Sequence, residues 1–462
     1  MTFLILLVSL AALAWSIVAL IHGSIYLAMA LFLGATACLP AEFFSLDAGG
    51  LTLTLDRIWF VVLLVKAGVQ WYRGNQRFVR LEHCDVAVAL FTMWLVARTI
   101  TQPLGSVLPN QPPTLMHLII GYLIPIALYV IVRCSALEKD KMAHGFWGFL
   151  VVGLYLGVTA FLEIGQVWSL VFPKYISDPN LGIHFGRARG PMLQSVRLGM
   201  VLVSCWVMVT VYSVWLKPWM RSRWVFHIVL SLVFAGAVYL TYTRSVWMGF
   251  GAAAAYLTVF GLQGTTRRIA IFGMMLGTIV LGVVKGPDLL TLERGTSGAE
   301  TQESTYMRSA FAYVSVQMFK EKPIAGYGFN QFQVYNRPFL SDRSTNIRLD
   351  SIRGYVHHNG FLSLVVDLGM IGFALYSLMI MTFIIQAFNL WSAKGVPKWV
   401  RGLALIAIAV IVCHHIQMAF HELSFASIEN SLLFIACGMV VAANQQFCLQ
   451  SSEQNRRGTQ AD

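Results

Sequence analysis

Two adjacent imidazoles, His357 and His358, followed by Asn359, stand where a polar stretch ends and a long apolar run begins. The polar stretch, Pro287 to Val356, is about 70 residues long, and connections of that length inside a compact chain are often functional. The apolar run continues to Leu390. Imidazole is the side chain whose ordinary pKa suits proton exchange near neutral pH. Asn359 is a good helix N-cap, which puts His358 beside the positive end of a helix, where the field disfavours imidazolium. A neutral imidazole can act as a general base; an interfacial histidine can equally be structural. Asp367 lies about 13 Å further down the same helix. An ionisable group at that depth either serves function or pairs with a neighbour such as Lys66. His357 and Asp367 are taken as supporting residues, with Asn359.

Arginines are the other chemistry-bearing residues, because their planar forks suit phosphate oxygens. Arg308 lies on a predicted helix from Ser304 to Lys322, capped by Ser304 or Thr305 and stopped by Pro323. Met307, Ala310, Phe311, Val314 and Met318 form its apolar stripe. Around Arg308, Ser304, Ala312 and Ser315 are small. The guanidinium can take a bulky anion there, or simply face solvent or lipid headgroups. Arg244 sits in the tight turn Thr243-Arg244-Ser245, with Ser245 as candidate cap of the following helix. Helix N-termini favour anions, although a charge at such a hairpin can also snorkel. Arg187 and Arg189 lie between Gly186 and Gly190. Arg337, Arg343, Arg348 and Arg353 alternate with Phe332, Tyr335, Phe339 and Tyr355; they suit phosphate and sugar faces, or they pair with Asp342 and Asp350. The Gly326-Tyr327-Gly328 pattern does not follow a strand and reads as a turn, not a nucleotide fingerprint. His414, His415, His421 and Glu422 match no strong zinc spacing, so no metal is expected.

These residues need a frame. The chain has 462 residues, 57% hydrophobic and 12% charged, with mean hydropathy +0.67, against about 25% charged residues in a soluble domain. An all-α polytopic membrane protein is expected. Apolar runs near 3–21, 24–40, 55–72, 84–100, 115–134, 146–164, 196–216, 224–242, 245–262, 268–286, 359–389, 400–418 and 428–447 give 12–13 transmembrane helices, depending on whether 24–40 crosses or re-enters. The span 359–389 is long enough to tilt or protrude. The net charge of +12 comes mostly from Lys and Arg in short loops, which marks those loops as cytoplasmic and does not indicate a nucleic-acid partner. The N-terminus reads as a retained first helix. Seven scattered cysteines form no CxxC pair and read as core residues. No inverted repeat of the transporter kind is visible. The expected organisation is 1–164, N-terminal spans; 165–286, central spans with an outer loop 165–195; 287–357, a large extracytoplasmic loop with an amphipathic helix; 358–447, C-terminal spans; and 448–462, a cytoplasmic tail.

Three residue sets together resemble the O-antigen ligase and polymerase superfamily of bacterial envelope proteins. Thr243-Arg244-Ser245-Val246-Trp247 is similar to its Ser/Thr-Arg turn, with arginine before serine where the family has the reverse. Arg308 with Pro323-Ile324-Ala325-Gly326-Tyr327-Gly328 resembles its loop arginine and Pro-x-x-Gly-x-Gly turn. His358-Asn359, Leu362 and Gly369-Met370-Ile371-Gly372 resemble its His-Asn helix start and Gly-x-x-Gly; Asp367 stands where the family often has Glu. The motifs cover roughly 185–390.

The resemblance implies transfer of a glycan from an undecaprenyl-pyrophosphate carrier to lipid A-core or a growing glycan. It further implies the bacterial inner membrane, with the site on the periplasmic face and the bilayer as a partner. In that frame His358 is the base, Arg308 is catalytic and, with Arg244 and also Arg187 and Arg189, binds pyrophosphate; no cofactor is implied. A lipid-linked glycan flippase without bond-forming chemistry is the alternative. The concentration of arginines on one face and the scarcity of mid-membrane charge favour transfer over translocation.

Overall fold

The computed structural model describes residues 2–48, 51–74, 80–106, 112–216, 224–290 and 298–449. Among the described residues the chain is mostly helical, with one short hairpin. The helices are α1 (Thr2–Ile21), α2 (Ile25–Cys38), α3 (Leu55–Tyr72), α4 (His83–Ile100), α5 (Thr114–Arg133), α6 (Lys139–Ile164), α7 (Ser195–Trp215), α8 (Trp224–Leu240), α9 (Arg244–Tyr256), α10 (Gly264–Leu290), α11 (Gly298–Glu321), α12 (Gly360–Ser392), α13 (Lys398–Met418) and α14 (Ser427–Ala443). Every apolar stretch expected to span carries a helix. Among the described residues α4, α5, α6, α7, α12, α13 and α14 are long and apolar enough to cross a membrane, whereas α2 is shorter at 14 residues. The sequence reading missed the hairpin Ser45–Ala48 with Leu51–Thr54, registered Ser45 to Thr54 and Ala48 to Leu51. The expected tail lies, beyond residue 449, outside the described residues.

Most of the protein packs into one apolar core. α7, α13 and α14 form its enclosed centre, and Leu202, Leu403, Leu405, Ile406 and Val441 are inaccessible. By contrast, α10 exposes Ile269, Phe272, Met275, Leu276 and Ile279. Lipid tails cover such a face in a bilayer as well as leucine would.

A second, smaller core lies in the segment between α10 and α12. The α11 stripe buries Ala310, Phe311, Val314 and Met318 against Tyr327, Phe332, Leu340, Leu349, Ile352 and Val366. The stripe therefore faces the protein. The expected helix is present, and α11 occupies about a third of the long connection. It starts earlier than expected, at Gly298, so Ser304 and Thr305 lie inside the helix and cannot cap it.

The length of α12 has a specific cause. Its 33 residues are two helical pieces joined at Gly369, whose φ of 68° and ψ of −172° break the helix. That conformation is essentially restricted to glycine. The gap is filled by the turn after α11. The Tyr327 and Gly328 N–H groups donate to the carbonyls of Val366 (2.9 Å) and Asp367 (2.8 Å), while those of Met370 and Ile371 donate to Pro323 (2.8 Å) and Ile324 (3.2 Å). Trp94 Nε1 donates to the Leu368 carbonyl at 3.0 Å and Arg98 to the Gly326 carbonyl at 3.0 Å. Backbone groups freed by the break thus find partners, as buried polar groups must. Gly326 (φ 68°) comes within 2.6 Å of the Asp367 backbone, measured from where its Cβ would be. The Pro-x-x-Gly-x-Gly turn and the Gly-x-x-Gly of α12 are two halves of one interlock.

Candidate functional site

The site is built where three helices begin or end. Asn359 caps α12: its Oδ1 accepts the Phe361 and Leu362 N–H groups, both at 3.0 Å. Its Nδ2 donates to the Ala419 carbonyl at 2.8 Å. His358 is therefore held one residue before a fixed helix start, half-buried, with its ring edge-on to Phe311 at 4.9 Å between centroids. Burial lowers the His358 pKa, and the positive charge of Arg308 lowers it further. Both effects keep the imidazole neutral.

Arg308 projects from α11 above the Phe420 ring, 6.0 Å from its centroid, at the limit of a cation–π contact. Although its residue is exposed, the surrounding protein lowers its pKa, and the charge of Arg244 adds to this. Arg244 is the first residue of α9, and Thr243 occupies the cap position. Ser245 is not the cap that the sequence suggested: it lies within the first turn, and its Oγ meets Nε2 of His421 at 2.9 Å. Arg308 is thus within electrostatic reach of both Arg244 and His358, and the three come from separate segments. Two guanidiniums beside a neutral imidazole make a site suited to a polyanion next to a hydroxyl.

The loop arginines divide. Arg189 is fully buried. Its guanidinium donates to the carbonyls of Ile176 (2.9 Å), Asp178 (2.6 Å) and Leu181. It also pairs with Glu163 at 3.6 Å, and Glu163 Oε2 accepts the N–H groups of Arg189 and Gly190, each at 2.9 Å. Arg189 thus ties residues 165–195 together, and its guanidinium is buried within that loop. Arg187 is half-buried. Its loop packs on the Arg244 turn: the Ala188 N–H donates to the Leu240 carbonyl at 3.0 Å, and the hydroxyls of Ser195 and Thr243 are 3.3 Å apart. Arg343 and Arg353 both pair with Asp350, at 3.3 Å and 3.0 Å, and these exposed pairs contribute little. Asp342 takes the Tyr313 hydroxyl at 2.7 Å.

The supporting residues find other partners than those anticipated. Lys66 donates to the Leu20 carbonyl at 3.0 Å, and Asp367 does not pair with it; Asp367 Oδ2 accepts the Asn330 N–H at 3.0 Å and reinforces the interlock. His357 is buried against Phe332, 3.7 Å between centroids, with Nδ1 3.5 Å from Ser315 Oγ. Burial drives its pKa down to about 3, so it is a neutral packing residue of the outer core. His414 meets Asn430 Oδ1 at 2.8 Å, while His415 is 2.8 Å from the Ile411 carbonyl. Each histidine of this group is committed to a different neighbour, and among the described residues no three His, Cys, Asp or Glu side chains are grouped to hold a metal.

Beside His357 lies a small cavity lined also by Asn330, Gln333, Ser363, Asp367 and Glu422. Glu422 Oε1 accepts the Ser424 N–H at 2.8 Å, while Oε2 is enclosed without a hydrogen-bond partner. Burial pushes its pKa up to about 7 from an ordinary 4.5. The folded state thus holds a proton that the unfolded chain has released, so this group's contribution is intact below about pH 4.5 and is lost as pH rises through 7. The difference is about 3 kcal/mol at pH 8. Glu422→Gln is expected to raise the unfolding midpoint at pH 8 and to leave it unchanged near pH 5, as read by thermal unfolding in detergent. An equal shift at both pH values would rule out a buried, proton-bearing carboxyl.

Sequence reasoning identified Arg244, Arg308, His358 and Asn359, which the fold brings together, but it overlooked Phe420 and the Ser245–His421 contact. The available signal was a histidine in a loop free of Lys and Arg, Ala419 to Ser427. None of the curated proteins matches the chain. Residues 229–377, which carry these four residues, match the family described as O-antigen ligase, and this match supports the resemblance to the O-antigen ligase and polymerase superfamily.

Proposed function

We propose that the protein transfers a glycan from an undecaprenyl-pyrophosphate carrier to an acceptor sugar hydroxyl during assembly of cell-envelope polysaccharide, at the periplasmic face of the inner membrane. One observation carries this reading: two arginines and a neutral imidazole share one site, with Arg308 close enough to both partners to exchange electrostatic influence. Arg244 and Arg308 bind the donor pyrophosphate. His358 takes the proton from the acceptor hydroxyl as its oxygen attacks the anomeric carbon. The bond from that carbon to the phosphate oxygen breaks, and its electron pair leaves with the lipid pyrophosphate. The arginines stabilise the charge developing there, which is the usual work of preorganised cationic groups. Nothing in this scheme requires a metal. Lipid A-core and a growing glycan chain both offer the required hydroxyl, so ligase and repeat-unit polymerase share the chemistry.

The test uses purified protein in liposomes with an undecaprenyl-pyrophosphate oligosaccharide and an acceptor glycan. We expect a new glycosidic bond and released lipid pyrophosphate, undiminished by a chelator. Movement of donor between leaflets without bond formation would identify a flippase and sink the proposal. Loss of transfer on chelation would overturn its metal-free form.

A further inference from the structure

The segment between α13 and α14, residues 419–426, lies outside the stretch that the family model matches. It nevertheless touches all three arms of the site. Ala419 accepts from Asn359 at 2.8 Å, and the His421 carbonyl accepts the Gly360 N–H at 3.2 Å. Both bonds fix the helix start that follows His358. Phe420 lies beneath the Arg308 guanidinium. The His421 ring reaches Ser245, next to Arg244.

Electrostatics gives these contacts a purpose. Two like charges held close, with no anion between them, repel and tend to splay apart. The first turn of a helix is also its least secured part, since its N–H groups lack partners within the helix. An anchor on each arginine's support counters both tendencies, so that the donor meets a site already assembled rather than having to gather it.

We propose that His421 is a positioning residue for the transfer reaction: through Ser245 it holds Arg244 in register with Arg308 and His358. This rests on the reading of Arg244 as a pyrophosphate ligand, and the experiment separates the two. Full-length protein in liposomes is assayed with undecaprenyl-pyrophosphate oligosaccharide varied at fixed acceptor, and then the reverse. His421→Ala and Ser245→Ala are each expected to raise the donor KM about tenfold and to leave the acceptor KM within twofold, as a change of about 1.4 kcal/mol in donor binding alone would do. The double variant should be no worse than either single one, because both remove the same contact. His421→Gln, whose amide can bond the same hydroxyl, should recover most of the loss. A merely structural histidine would instead raise both KM values and lower the unfolding midpoint. Should His421→Ala not fold, Ser245→Ala and His421→Gln still decide the matter. A donor KM unchanged in His421→Ala, or additive losses in the double variant, would overturn the positioning assignment while Arg244→Ala remains inactive. Normal transfer by Arg244→Ala would overturn the functional reading and this inference with it.

Discussion

His358→Ala is expected to lower glycan transfer by about 10²–10⁴-fold, the usual contribution of a positioned general base, without unfolding the protein. The separation of the two effects follows from the residue's setting. His358 is half-buried, and its ring contact is the edge of Phe311, worth about 1 kcal/mol. The pH profile carries further information. The base works only when neutral, so activity should fall on acidification with an inflection below the ordinary histidine value near 6.5. Burial and the Arg308 charge depress that value. Arg308→Gln removes one of the two causes, so the inflection should move upward, towards 6.5, as the rate itself falls by about 10²–10³-fold. Transfer at the normal rate by His358→Ala would exclude it as the base. An inflection unmoved in Arg308→Gln would show that the arginine acts elsewhere.

Gly369→Ala should have the largest effect on stability, about 3–5 kcal/mol, in the tail of what single substitutions do. A Cβ at this position would stand 2.2 Å from the Ile324 carbonyl oxygen and 2.6 Å from the Ala325 nitrogen. Both are backbone atoms, which cannot swing aside as a flexible side chain can. The φ of 68° with ψ of −172° adds strain for any residue with a side chain. Relief requires breaking the interlock, whose four backbone hydrogen bonds contribute about 1 kcal/mol each. Gly273→Ala is the matched control: it lies in α10 with nothing within 4 Å of its Cβ position, and alanine in a helix interior is favoured over glycine by about 1 kcal/mol. Thermal unfolding in detergent should show the first variant strongly destabilised, or unrecoverable, and the second unaffected or stabilised. A Gly369→Ala protein with the normal midpoint would contradict the interlock.

What the sequence revealed depended on how local the cause was. Apolar runs specify helices within their own length, and each one forms a helix in the structure. The Asn359 cap acts over three residues and was legible for the same reason, as was the α11 stripe. Contacts between distant segments were not. Arg189 looked like an anion ligand because Glu163, which helps to consume it, belongs to the preceding helix. Ser245 looked like a cap because its partner lies 176 residues away. Lys66 looked like a mate for Asp367 because both are ionisable and intramembrane, whereas the backbone N–H of Asn330 does that work. The break at Gly369 was hidden because a glycine inside a strongly apolar run leaves the hydropathy pattern of a helix intact. Which residues to consider could be read from residue types and order; how they are wired together could not.

The interlock at Gly369 also imposes an order on how the protein is made. The turn from Pro323 to Gly328 is synthesised before α12, yet its hydrogen-bond partners, Val366 to Ile371, lie within α12. This turn emerges without its partners and cannot take its final form until the first piece of α12 has been made. Arg308 and His358 face each other only after that step. A half-made chain carries the two arginines without the imidazole, so the candidate site is completed only late in synthesis.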